Sequence, residues 1–233
     1  MNSSHTNQES LLLHPIAYIR TDFPSKVGIP RQSGLVPNLH ASIVFEPEYR
    51  NPDTLRGLEE FSHLWLIWEF SKSRQNGWSP TVRPPRLGGN IRKGVFATRS
   101  PFRPNPLGLS CVKLDHIELQ TPLGPVIHVL GADLMDQTPI YDIKPYVPYS
   151  DSHPEALGSF ADLHKNDLLS VNIPEPWLSA IPGELLEPLK GVLAHDPRPA
   201  YQNDPERIYG FPFGNIEIRF TVKNDVLTVC EIL

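Results

Sequence analysis

The sequence predicts a mainly β protein, an antiparallel β-barrel domain followed by a smaller α+β domain. Three observations carry that prediction. Short apolar or alternating runs, separated by turn residues, fill the first two thirds of the chain. Proline is dense, at 26 of 233 residues, which disfavours long helices. Strands and helical stretches do not alternate, as a parallel sheet would require.

Taken in order, residues 1–12 read as a polar tail, 13–153 as the barrel and 154–233 as the α+β domain. Ile16 to Ile19 and Ala41 to Phe45 are the first two strands, and Ser62 to Phe70 (SHLWLIWEF) is the third and most apolar. Between them, Asp53 caps a short helix that runs to Leu58. Gly94 to Thr98 predicts a fourth strand. Leu109 to Leu119 alternates through Val112, Leu114, Ile117 and Leu119, with a slip at Asp115-His116 that marks a bulge. Pro125 to Leu134 continues the sheet after the turn Thr121-Pro122-Leu123-Gly124.

After Asp151-Ser152-His153-Pro154 the texture changes. Trp177 to Ala194 carries apolar residues at three- and four-residue spacing, a helix interrupted by Pro182 and Pro188. Asn215 to Val222 and Val226 to Ile232 form a hairpin around Lys223-Asn224-Asp225, with Ile216, Ile218, Phe220 and Val222 on one face.

Composition excludes several classes. No apolar run approaches the roughly 20 residues of a membrane helix, and Asn2 to Glu9 lacks the basic start of a secretory signal. Cys111 and Cys230 are too few for a disulfide framework, so both read as free thiols of a soluble, cytoplasmic protein. No G-x-G-x-x-G turn, P-loop, zinc-ligand spacing or G-x-S-x-G elbow is present.

Charge is informative once it is divided along the chain. The net charge is −5, yet residues 70–114 hold nine basic residues and no acidic one, leaving −14 for the rest. Those basic residues interleave with Trp78, Phe96 and Phe102 between prolines, a pattern suited to phosphates and unstacked RNA bases. A solvated face whose arginines pair with distant carboxylates is the competing explanation.

Three segments carry candidate chemistry: Gly28 to Gly34, Ala97 to Pro106, and Asp133 to Tyr146. Each mixes charged or amide side chains with proline or glycine stops, which preorganise a polar loop. His63 reads as a hydrogen-bonded core residue rather than an acid or base, and Trp65 and Trp68 read as core. Asp196-Pro197-Arg198-Pro199-Ala200-Tyr201 is a compact polar loop, open to docking on the basic loop, to RNA or to a structural role.

Taken together, PRQ at 30–32, GLEEFSHLWLIWEF at 57–70, TVRPPRLGGNIRKGVFATRSPFRPNPLGLS at 81–110, DQTP with DIKPY at 136–146, and DPRPAY at 196–201 resemble the TrmO family. The resemblance spans nearly the whole chain. It implies a β-barrel methyltransferase that uses S-adenosylmethionine to methylate N6 of threonylcarbamoyl-adenosine beside the tRNA anticodon loop, working as a homodimer without a membrane. The implied cofactor residues are Pro30, Arg31, Gln32, Ser71, Lys72, Arg99, Leu107, Asp136, Gln137, Thr138 and Pro139. For tRNA the candidates are Arg83, Arg86, Arg92, Arg103 and Asn105, with Lys144 and Tyr146 near the reaction centre. No catalytic base and no metal site is assigned. Two residues depart from the family pattern: Gln137 replaces a usual glycine, and Ser71 stands where many members have histidine. A SAM-binding RNA adaptor without catalysis, or a methyltransferase of a small phosphorylated metabolite, are the alternative functions.

Overall fold

The computed structural model describes residues 11–84, 87, 90–163, 167–199, 202 and 204–233. Its first eight strands are β1 (Ala17–Arg20), β2 (His40–Phe45), β3 (His63–Glu69), β4 (Thr81–Val82), β5 (Lys93–Gly94), β6 (Leu107–Glu118), β7 (Val126–Leu130) and β8 (Thr138–Pro145). Six of them close an antiparallel barrel in the order β1-β2-β7-β6-β3-β8. Alternation sets the inward face. Ile19, Ile43, Leu64, Leu66, Ile127 and Ile140 are wholly buried and form the centre of the barrel core. Closure leaves the barrel strands no free edge. The bulge anticipated on β6 is present, as a register shift between Leu114 and His116.

Several local expectations change. Gly94 to Thr98 is not a strand: Lys93–Gly94 pairs briefly with Thr81–Val82, and Val95–Ala97 then forms a 3-10 turn. Two 3-10 turns, Pro52–Leu55 and Leu58–Glu60, replace the predicted helix from Asp53 to Leu58. The cap is Asn51, whose side chain accepts the Asp53 N–H at 3.0 Å. The strand expected from Pro125 to Leu134 stops at Leu130, where Gly131 turns the backbone left-handed at φ 76°.

Strand β8 was hidden by its prolines. Pro139 pairs only with β1 and Pro145 only with β3, so neither removes a donor from a doubly paired position.

Beyond the barrel come α1 (Pro148–Asp151), α2 (Phe160–Leu163), β9 (Ser170–Asn172), α3 (Glu175–Leu178), α4 (Gly183–Ala194), β10 (Tyr209–Phe213), β11 (Ile216–Lys223) and β12 (Val226–Ile232). The last three strands and β9 form a sheet in the order β10-β11-β12-β9, with β9 parallel to β12. The predicted hairpin is β11–β12, turned by Asn224 and Asp225 at φ 49° and 60°. The interrupted helix divides into α3 and α4, with Pro182 at the N-cap and Pro188 carried inside α4.

A second core packs Phe211, Phe213, Phe220, Leu189 and Leu193 together. It also takes in Phe23, Val36 and Leu39, which come from the connection between β1 and β2. Residues 21–39 therefore belong to both halves of the molecule.

Gln137 occupies the left-handed region at φ 60°, and its N–H donates to the Ile19 carbonyl at 2.8 Å. A residue with a Cβ is strained there by about 1 kcal/mol. Gln137→Gly removes that strain, while glycine's larger unfolded-state entropy offsets part of the gain. The expected outcome is a net stabilisation below about 1 kcal/mol, read as a higher urea midpoint with an unchanged slope.

Candidate functional site

One mouth of the barrel opens into a cavity of about 840 Å³. Four pieces of chain build it. The 21–39 connection contributes Pro30, Arg31 and Gln32. The end of β3 contributes Trp68 and Glu69, followed by Ser71 and Lys72 in a 3-10 turn. The basic segment contributes Arg99, Phe102 and Arg103, and leads through the start of β6 with Leu107 and Gly108. The approach to β8 contributes Asp133, Met135 and Thr138.

Gly108 is required by packing. A Cβ there would lie 2.3 Å from the Trp68 ring, so only glycine lets the indole lie flat across β6. The indole N–H donates to Ser110 Oγ at 2.9 Å, and that hydroxyl donates to Asp133 Oδ1 at 2.6 Å. This relay fixes a carboxylate in the cavity wall. Burial pushes the Asp133 carboxyl above the usual aspartate range, against the lowering effects of the Ser110 hydroxyl, backbone N–H groups and the Arg99 charge. A second carboxylate, Glu69, is only 4% exposed and accepts from the Tyr141 hydroxyl at 2.5 Å.

Lys26, Arg31, Lys72, Arg99 and Arg103 face the same space. With Trp68, Phe70 and Met135 as apolar walls, the cavity offers cations for a carboxylate, carboxylates for a cationic centre, and flat surface for a ring. Those are the parts of S-adenosylmethionine, and the volume is that of a cofactor pocket.

A second cavity of about 1030 Å³ adjoins the first and shares Arg31, Gln32, Thr98, Arg99, Pro101 and Phe102 with it. In the dividing wall, Arg99 donates to Gln32 Oε1. The outer cavity adds Arg83, Arg92 and Phe96, the last 77% exposed. Arg92 is oriented by a 2.7 Å hydrogen bond to Thr81 Oγ1.

The structure thus brings Pro30, Arg31, Gln32, Ser71, Lys72, Arg99, Leu107 and Thr138 to the first cavity. Asp136, Gln137 and Pro139 lie outside its lining. The Asp136 carboxylate accepts the Thr21 N–H at 3.1 Å, and its own N–H donates to the Phe23 carbonyl at 2.8 Å. Asp136 therefore braces the 21–39 connection from the barrel side.

Of the RNA candidates, Arg83 and Arg92 line the outer cavity. Arg103 faces the inner one, with Nη1 donating to the Thr98 and Ser100 carbonyls at 2.9 and 3.3 Å. Asn105, Lys144 and Tyr146 lie outside both linings. Lys144 pairs with Asp142 at 2.9 Å, and Tyr146 packs on the Trp65 and His63 rings. Arg86 lies outside the described residues.

His63 is half-exposed beside Ser62 Oγ, not in the core, because it occupies an outward position of β3. Trp65 also points outward and donates to Asp151 Oδ2 at 3.0 Å, whereas Trp68 is buried.

Asp133 and Glu69 are the cavity-lining carboxylates that sequence reasoning did not assign. Glu69 left a trace, as a lone carboxylate ending the most apolar run. Asp133 lay inside a singled-out segment, but nothing local distinguishes it from Asp136. Among the described residues no cluster of three or more His, Cys, Asp or Glu is placed to hold a metal ion. No described helix is long and apolar enough to cross a membrane.

Known proteins resemble the chain along nearly its whole length. The profile of the tRNA-methyltransferase O N-terminal domain matches residues 18–152, and that of the TrmO C-terminal domain matches residues 174–233. A tRNA (adenine(37)-N6)-methyltransferase of Escherichia coli is 40% identical, covering 91% of this chain and 94% of that protein. A mouse protein of the same name is 41% identical over 67% of this chain, but over only 35% of its own length. A crystal structure of TrmO from Pseudomonas aeruginosa superposes with a TM-score of 0.77 at 31% identity, over 97% of this chain and 98% of that one.

The elevated Asp133 titration has a stability consequence. Between the ordinary aspartate value and the raised folded value, the folded state binds more protons than the unfolded state, so stability falls as pH rises through that window. Asp133→Asn retains an acceptor for Ser110 and removes the half-buried charge. The variant is expected to exceed the parent in stability at neutral pH, and the gap to close as pH drops through the window, in denaturant titrations from pH 7 to pH 3.

Proposed function

Since the chain belongs to the TrmO family, we propose that it transfers the methyl group of S-adenosylmethionine to N6 of an adenosine in tRNA, the threonylcarbamoyl-adenosine just 3′ of the anticodon. The observation that carries this reading is the shared wall. A cofactor-sized cavity with the buried Glu69 and half-buried Asp133 carboxylates adjoins a basic, aromatic cavity, and Arg99 held by Gln32 stands between them.

The bound cofactor supplies a methyl group made electrophilic by its sulfonium charge. The residues of the chain orient both partners, which supplies much of the rate of such a displacement. Asp133 and Glu69 provide negative charge beside the positive centre, and Lys26, Arg31, Lys72 or Arg99 meet the carboxylate end. Trp68 and Phe70, in edge contact with centroids 4.4 Å apart, offer the apolar wall. Outside, Phe96 and Phe102 present ring faces to unstacked bases while Arg83 and Arg92 meet phosphates.

The protein acts in the cytoplasm as a homodimer in this reading. Ile67, Leu109, Trp65 and Cys111 are cross-strand neighbours on the outer face of β3 and β6, and Leu109 is 49% exposed. Leu107 and Leu109 also line the cofactor cavity, so a second copy covering this stripe would help close the site.

Incubation with labelled S-adenosylmethionine and tRNA with or without threonylcarbamoyl-adenosine tests the activity. Methyl on N6 in the modified pool is expected. Cofactor binding without transfer to either pool would favour the adaptor or metabolite alternative. Arg83→Ala and Arg92→Ala are each expected to weaken tRNA binding whatever its sequence, and to lower the salt slope of binding by about 1. Leu109→Glu is expected to give monomers by light scattering and to weaken cofactor binding.

A further inference from the structure

The C-terminal domain is poorly suited to hold RNA. Residues 154–233 carry six Lys and Arg against twelve Asp and Glu, a balance that repels a phosphate backbone. Its contacts point elsewhere, to the 21–39 connection, which it grips along much of its length. Gly214 N–H donates to the Asp22 carbonyl at 2.8 Å. His195 Nε2 donates to the Leu35 carbonyl at 3.1 Å. Val36 packs against Gly191 of α4, where a Cβ would lie 2.6 Å from Val36 Cγ1. Gly28, at φ 86°, lies against the Phe211 ring of β10, where a Cβ would lie 2.5 Å from Cδ2.

The polar turn after α4 serves the same grip. Asp196 is left-handed at φ 54°, and its carboxylate receives a forked pair from Arg198, Nε and Nη2 each at 2.8 Å. That closed ring ends α4 rigidly and sets His195 at its C-cap. Ala200 and Tyr201 of this loop lie outside the described residues.

Two residues after Gly28 come Pro30, Arg31 and Gln32, the connection's contribution to the cofactor cavity. Ile29 between them packs on the second core. We infer that the C-terminal domain positions the methyl-donor site: Phe211, through its contact with Gly28, holds Pro30, Arg31 and Gln32 against the cavity. The inference rests on the cofactor reading proposed above.

The contact can transmit displacement because both sides are constrained. Gly28 adopts a backbone conformation that disfavours any side chain, and Phe211 is 1% exposed with Phe220 edge-on at 6.2 Å. A methyl group at position 28 must therefore move the loop rather than the ring. Removing part of the ring leaves the loop without its support. Phe211 is a positioning residue, since it lines neither cavity.

The test titrates S-adenosylmethionine into the full-length protein by calorimetry, and measures tRNA affinity in parallel. The variants are Gly28→Ala, Phe211→Leu and Leu227→Ala, the last removing volume from the same core on β12. Gly28→Ala and Phe211→Leu are expected to weaken cofactor binding by about tenfold or more, with a smaller loss of tRNA affinity because Arg31 and Gln32 also line the outer cavity. Leu227→Ala is expected to lower the thermal midpoint with cofactor affinity within about twofold of the parent. Folded Gly28→Ala and Phe211→Leu proteins that bind the cofactor like the parent would overturn the inference, as would an equal loss in Leu227→Ala. A parent chain that fails to bind the cofactor would overturn the cofactor reading as well.

Discussion

The connection between β1 and β2 is the constraint on which the rest depends. It leaves the barrel at Arg20 and returns at His40, and between those points it packs into the second core while its backbone bonds to the barrel side. On the barrel side, Asp136 and Gly131 tie it through backbone bonds of 2.8 Å to Phe23, Gly34 and Leu39. On the other side, Phe23, Val36 and Leu39 are buried in the C-terminal domain. A loop of this length left free would cost entropy each time a ligand ordered it. Clamped from both sides, it presents Pro30, Arg31 and Gln32 already ordered.

The same economy of position explains the electrostatics. Asp133 is costly to bury, and its site carries that cost because Ser110, held in turn by Trp68, keeps the carboxylate aimed into the cavity. Gly108 permits that indole to cross β6. One glycine, one indole, one hydroxyl and one carboxylate therefore act as a unit at the barrel mouth. The basic segment closes the other side: Arg103 bonds to its own loop, Arg99 stands in the wall between the cavities, and Arg83 and Arg92 line the outer one.

Legibility differed by element for physical reasons. Strands β2 and β3 could be read as short apolar runs, and β6 and the β11–β12 hairpin by their alternation and turn residues, which are local signals. β8 could not, since its prolines and charges argue against a strand until the closed barrel shows that each proline is paired on one side only. Gly94 to Thr98 had the composition of a strand, but antiparallel pairing would run it against the residues before Thr81, where Pro80 has no N–H to donate, and the chain turns at Val95–Ala97 instead.

Motif and charge pattern along the chain determined the family, the barrel, the acid-free basic segment and most of the residues that reach the cavity. Tertiary structure alone decided which carboxylate of the 133–136 turn faces the cavity, that Glu69 joins it, and that Lys144 and Tyr146 lie elsewhere. It also decided that residues 21–39 pack into the second core while bonding to the barrel side. Local sequence encodes backbone preference and which face is apolar. Depth, direction and the meeting of distant segments arise only when the barrel closes and the second core packs against it.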